Sequence, residues 1–103
     1  MKAYLFSFNN VIQTNAVHKI LNGTNAVEYW VTPIPNTAIL ISKLSVAELS
    51  AVLHTHLGDV WFILAEATPQ NTNGWLPGNF WEHISNPDKA AGQNLLQYSG
   101  AIF

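Results

Sequence analysis

Apolar and polar positions alternate over Lys2–Phe8, with Tyr4, Phe6 and Phe8 on one side and Ala3, Leu5 and Ser7 on the other. A period of two predicts a β-strand. The strand runs into two amides, Asn9 and Asn10. A short helix is expected next: Val17, Ile20 and Leu21 share one face, Thr14 or Asn10 is placed to cap it, and Asn22-Gly23 ends it. The aromatic and branched run 27–32 predicts a second strand. Pro33 and Pro35 interrupt it. Proline cannot donate to a central ladder, so a turn or a bulged edge is expected there. Thr37–Ser42 follows as a third strand and closes a hairpin.

The clearest helix start is Ser45-Val46-Ala47-Glu48, a capping box in which hydroxyl and carboxylate each satisfy a free backbone N–H. Val46, Leu49, Leu53 and Leu57 form its apolar stripe and Gly58 its end. Residues 60–65 read as a fourth, continuously apolar strand. The order β-α-β-β-α-β predicts an α+β, ferredoxin-like sandwich over residues 1–85. Right-handed crossovers place both helices on one sheet face and leave the other open. The aromatic residues available to an open face are Tyr4, Phe6 and Phe8 or their neighbours, Tyr29 or Trp30, and Trp61 or Phe62. After a polar loop, a short aromatic helix is expected from near Pro77, then a linker over 85–92. Residues 86–103 form an extension whose apolar end docks on the domain or on a partner subunit.

Composition shifts this picture toward partnership. A chain of 103 residues fits one domain, and 49% hydrophobic content is high for its size, so part of the apolar surface is expected to be covered by a partner. Charge is sparse, net −2, with four lysines and no arginine. That disfavours nucleic-acid binding by a monomer, although a homodimer could line Lys2, Lys19 or Lys43 along one groove. With no cysteine there is no disulfide, thiolate metal site or thiol nucleophile. No secretion signal or membrane-length apolar run is recognisable, so the protein is expected to be cytoplasmic, and Asn22-Gly23-Thr24 is a chance match to a glycosylation acceptor.

Candidate chemistry is thin. Asn9 and Asn10 suit a turn as well as a weak, neutral metal site. His54 and His56 are two apart, roughly 200° around a helix, and cannot share a metal from one face. His18 and His83 are isolated in sequence, and Glu82, beside His83, points away from it on a helix. Asp59 and Glu66 flank the fourth strand as weak acid candidates, and Ser45 is committed to its cap.

Several segments together resemble a known family. These are Lys2-Ala3-Tyr4-Leu5-Phe6-Ser7-Phe8, Asn36-Thr37-Ala38-Ile39-Leu40-Ile41, Leu44-Ser45-Val46-Ala47-Glu48-Leu49 and His56-Leu57-Gly58-Asp59, followed by Gly74-Trp75-Leu76-Pro77 and Phe80-Trp81-Glu82-His83-Ile84. Over about residues 2–85 the chain is similar to the small bacterial SinR-family proteins, distant relatives of the small CRISPR-associated adaptation nuclease and of VapD-type ribonucleases. The resemblance implies a ferredoxin-like homodimer whose sheets meet. It also implies an acid at the end of the first strand that shares a metal across the dimer axis. The matching residue here is Asn9, an amide without charge. The expectation is therefore a homodimer that acts by protein–protein contact, a catalytically degraded relative of these nucleases without a cofactor. Its interface would draw on Phe8, Trp30, Trp61, Trp75, Trp81 and Phe103. The alternatives are a Mg²⁺-dependent ribonuclease or nuclease using Asn9, Asp59 or Glu66, and a single-strand binder stacking bases on the sheet.

Overall fold

A computed structural model describes residues 1–92 of the chain. Strand β1 (Lys2–Phe8) is followed by helix α1 (Thr14–Gly23), strands β2 (Tyr29–Ile34) and β3 (Thr37–Ser42), helix α2 (Val46–Leu57), strand β4 (Phe62–Ala67), and helices α3 (Gly78–Ser85) and α4 (Pro87–Gly92). The strands form one antiparallel sheet in the order β2-β3-β1-β4. The fold is α+β, and β2 and β4 are the edges.

Tyr4, Phe6 and Phe8 all point to one face, where they meet Leu40, Trp30, Val17 and Leu21 of α1, and Leu49, Leu53 and Leu57 of α2. Burial of these side chains is the main stabilising term. The capping box forms as the sequence predicts: Glu48 N donates to Ser45 Oγ at 3.2 Å, and Ser45 N donates to Glu48 Oε1 at 3.0 Å. The Ser45 backbone N–H, then its hydroxyl, hold the Glu48 carboxyl below its usual range. Gly58, with φ +63°, lets the chain leave α2, where its N–H caps the His54 carbonyl. One polar group in this core is fully satisfied: Ser42 Oγ donates to Ala26 O and accepts from Leu44 N.

Several expectations are corrected. Gln13, without a side-chain cap bond, precedes α1; neither Thr14 nor Asn10 caps it. Val46 is exposed at the start of α2 rather than part of its buried stripe. Strand β2 covers Tyr29–Ile34 rather than 27–32, while the bulged edge expected at the prolines is present: β2 is an edge, runs through Pro33, and its register with β3 shifts between Val31 and Ile34. The hairpin turn is Pro35-Asn36, with Asn36 at φ +60°, where an amide is tolerated better than most residues. Strand β4 starts at Phe62, because Val60 N is still bonded to Leu57 O across the turn after α2. Residues 87–92 are not linker but helix α4.

The largest correction concerns the face expected to be bare. The strand aromatics Tyr4, Phe6 and Phe8 lie beneath α1 and α2, not on it. On the far face, α3 and α4 pack Phe80, Ile84 and Ala90 against Ala3, Val31, Ile39, Ile41 and Ala67. This layer is pinned by the Met1 amino group on Asp88 (2.9 Å) and tied within itself by Lys89 to Glu82 (3.5 Å). It covers only part of the face. The expected docking of the end of the chain, with Phe103, lies outside the described residues.

Candidate functional site

The uncovered part of the far face is the most distinctive surface of the molecule. Strand β4 alternates, and Trp61, Ile63, Ala65 and Ala67 share that face. Ala67 is buried beneath α3 and α4, Ala65 is exposed, Ile63 is 69% exposed and Trp61 79%. Next to them Leu5 and Thr37 form part of the floor of a cleft of about 390 Å³, walled by Leu76, Trp81 and Ile84. Trp75 stands on its rim, 97% exposed, and Ile34 on another side is 49% exposed. Gly74, at φ +159° in extended backbone, lies against the Trp81 ring, where a Cβ would sit 3.6 Å from the nearest ring atom. Large apolar groups left in water in one neighbourhood mark an interaction surface more often than scattered single ones do.

Of the six residues expected at an interface, Trp61 and Trp75 are exposed and Trp81 is half-buried in the cleft wall. Phe8 and Trp30 lie in the α1/α2 core and offer no surface, and Phe103 is outside the described residues. Ile63 was missed by sequence reasoning. The signal was the alternation 61-63-65, which a continuously apolar run conceals until one face is known.

The weak chemical candidates are not assembled. Asn9 N donates to Trp61 O, and its side-chain Oδ1 accepts from Val11 N at 3.3 Å, a local turn. Asp59 lies in the exposed turn at the same end of the sheet. Glu66 is opposite Tyr4. That places it about five residues, or roughly 17 Å, along the strand from the Asn9 position. Its carboxylate faces Lys2 at 3.9 Å. Burial first, then the charges of Glu66 and Glu48, push the Tyr4 phenol above its usual range.

The histidines are placed by packing. His54 and His56 are exposed on α2. His18 packs on Trp30 with ring centres 4.6 Å apart and the rings tilted by 39°, and burial lowers its pKa. The Trp30 indole N–H is in turn satisfied by Asn22 Oδ1 at 2.8 Å. His83 lies flat on Tyr29, with ring centres 5.3 Å apart, and its Nδ1 donates to Asn79 O at 2.9 Å, the only role open to a nitrogen facing a carbonyl. Glu82, its neighbour, turns to Lys89. Among the described residues no three acidic, histidine or cysteine side chains gather at one point, and no helix is long and apolar enough to cross a membrane. Comparison with family models, curated proteins and solved structures finds no match for this chain.

Proposed function

We propose that the protein is an association module: a ferredoxin-like homodimer that acts through protein–protein contact at the uncovered sheet face. The observation that carries this reading is the exposure of Trp61, Ile63 and Trp75 on one side of a fold in which most other large aromatics among the described residues are buried. A tryptophan 97% exposed buries little against the described residues of its own chain, and aromatic anchors are the residues that interfaces favour. The ferredoxin-like assignment is supported by the strand order. From the β4 side it reads β4-β1-β3-β2, with β1 parallel to β2 around β3, and β3 parallel to β4 around β1. The kinship with small metal-dependent nucleases is part of the same proposal, with Asn9 in place of the metal-holding acid. The use of its side-chain oxygen in a local turn supports a structural role for this amide.

Sedimentation at micromolar concentration tests the reading. The wild-type chain is expected to sediment as a dimer, and Trp61→Ser with Trp75→Ser as a monomer that keeps its far-ultraviolet spectrum. A wild-type monomer, or a double variant that stays dimeric, overturns it. Chelator-sensitive cleavage of labelled RNA or DNA that is lost in Asp59→Ala establishes the nuclease alternative instead.

A further inference from the structure

We infer that the partner on this surface is a second copy of the chain joined edge to edge through β4. The two copies then form one continuous eight-stranded sheet with its two-fold axis at Ile63. This rests on the association reading above and gives it a geometry.

The two edges of the sheet differ. On β2, Pro33 lacks an N–H, the ladder is bulged between Val31 and Ile34, and a second proline follows at 35, three devices that blunt an edge against pairing. From Trp61, just before β4, to Ala65 the chain holds no proline, glycine or charge, and the one charge of β4 is Glu66 near its far end. Among the described residues no strand pairs with its outer side.

Which backbone groups face that side follows from the ladder. Phe8 is opposite Phe62, so Asn9 is opposite Trp61, and Asn9 N donates to Trp61 O at 2.9 Å. Antiparallel pairs alternate between bonded and non-bonded. Trp61, Ile63, Ala65 and Ala67 therefore bond to β1, and the N–H and C=O of Phe62, Leu64 and Glu66 face outward. A two-fold copy must match outward residues with outward residues. That restricts the axis to a residue, never to a point between two, and keeps Trp61 and Ile63 of both copies on one face.

Burial then decides between the two residues at the middle of the apolar run, Ile63 and Leu64. An axis at Leu64 sets Phe62 against the partner's Glu66 and Trp61 against the partner's Ala67. Ala67 is already covered by α3 and α4, so a second ring has no room there. An axis at Ile63 sets Phe62 against the partner's Leu64 and Trp61 against the partner's Ala65. Ala65 is small and exposed, and it is paired to Leu5 at the floor of the cleft. Ile63 then meets the partner's Ile63 as a non-bonded pair. Large faces small, no like charges meet, and Glu66 stays at the end of the ladder with Lys2. Covering the tryptophan matters for size: a stable interface takes about 800 Å² from each partner, and one tryptophan supplies roughly 150–250 Å².

The absence of cysteine makes the test direct. Ile63→Cys and Ala65→Cys each carry a single thiol at an exposed position. Non-bonded antiparallel pairs have Cα atoms about 4.5 Å apart, within disulfide reach. The two copies of residue 65 would be roughly 13 Å apart, beyond it. Under mild oxidation Ile63→Cys is expected to run as a covalent dimer and Ala65→Cys as a single chain. In the unmodified protein, the amides of Phe62 and Leu64 are expected to exchange slowly when concentrated and fast on dilution. A dimer in which Ile63→Cys does not cross-link, or Ala65→Cys cross-links as readily, overturns the edge pairing and leaves the association reading standing. Slow exchange of both amides that persists in a diluted monomer overturns the edge pairing, and a chain that stays monomeric at micromolar concentration overturns both readings.

Discussion

The two faces of the sheet are built from the same four strands and treat water differently. Beneath α1 and α2, Tyr4, Phe6, Leu40, Leu49 and Leu53 are fully buried. Beneath α3 and α4, burial holds at Ala3, Ile39 and Ile41 and then gives out, until Ile63 and Trp61 stand in solvent. The first face stabilises the chain and offers nothing to a partner. The second divides along its length, buried at the Ala67 end and open to solvent at the Trp61 end, where the proposed association would take place.

Substitutions sharpen or break this contrast. The largest effect belongs to Leu53→Ala, in the sealed core, with an expected loss of about 2–5 kcal/mol in urea unfolding. Ile84→Ala removes a similar side chain from the other face, beside an open cleft that can collapse into the space. It is expected to cost about 2 kcal/mol, the low end of that range; equal losses would dissolve the distinction between the faces. Ser45→Ala breaks the capping box that starts α2, for about 1 kcal/mol. In a domain of this size that lowers the melting temperature by roughly 4–8 °C.

Protonation gives a smaller, directional effect. Burial holds the pKa of His18 below its ordinary value. The unfolded chain therefore binds the proton more tightly, and the stability from the neutral ring is present above about pH 6.5. It is lost as pH falls through the folded value. His18→Phe keeps a ring against Trp30 and is expected to flatten the melting temperature between pH 7 and 5; an unchanged slope would assign the effect elsewhere. The raised phenol of Tyr4 works at the other end, with stability falling as pH rises above about 10. Smallest of all is Trp75→Ser, expected to shift monomer stability by no more than about 0.5 kcal/mol, since its ring touches so little of its own chain.

Much of the frame was legible because local chemistry decides it. Ser45 and Glu48 mark a helix start whatever the helix packs on, and Pro33 and Pro35 mark an edge wherever the strand lies. Alternation in Lys2–Phe8 announced a strand but not which side faces inward, since Phe6 and Leu5 are both apolar. Only the helices that settle on Tyr4, Phe6 and Phe8 decide it. The second layer was hidden for a related reason. Residues 87–92 read as a linker because Pro87 and Gly92 flank them, yet Pro87 sits at a helix start and Ala90 is small enough to bring α4 close to the sheet. The exposed apolar surface was half legible: Trp61 and Trp75 stand in solvent as expected, but Phe8 and Trp30 lie in the core, and Ile63 is exposed because α3 and α4 stop short of it.

In the edge pairing proposed above, Pro33 and the bulge on β2 would govern how far the sheet can grow. A protomer with two adhesive edges adds copies at both ends and polymerises without limit. A protomer with one adhesive edge terminates the copy it joins, and the particle closes at two. On that proposal a substitution that repairs β2, such as Pro33→Val, would endanger the chain by giving it a second growing end, even where it does nothing to destabilise the fold.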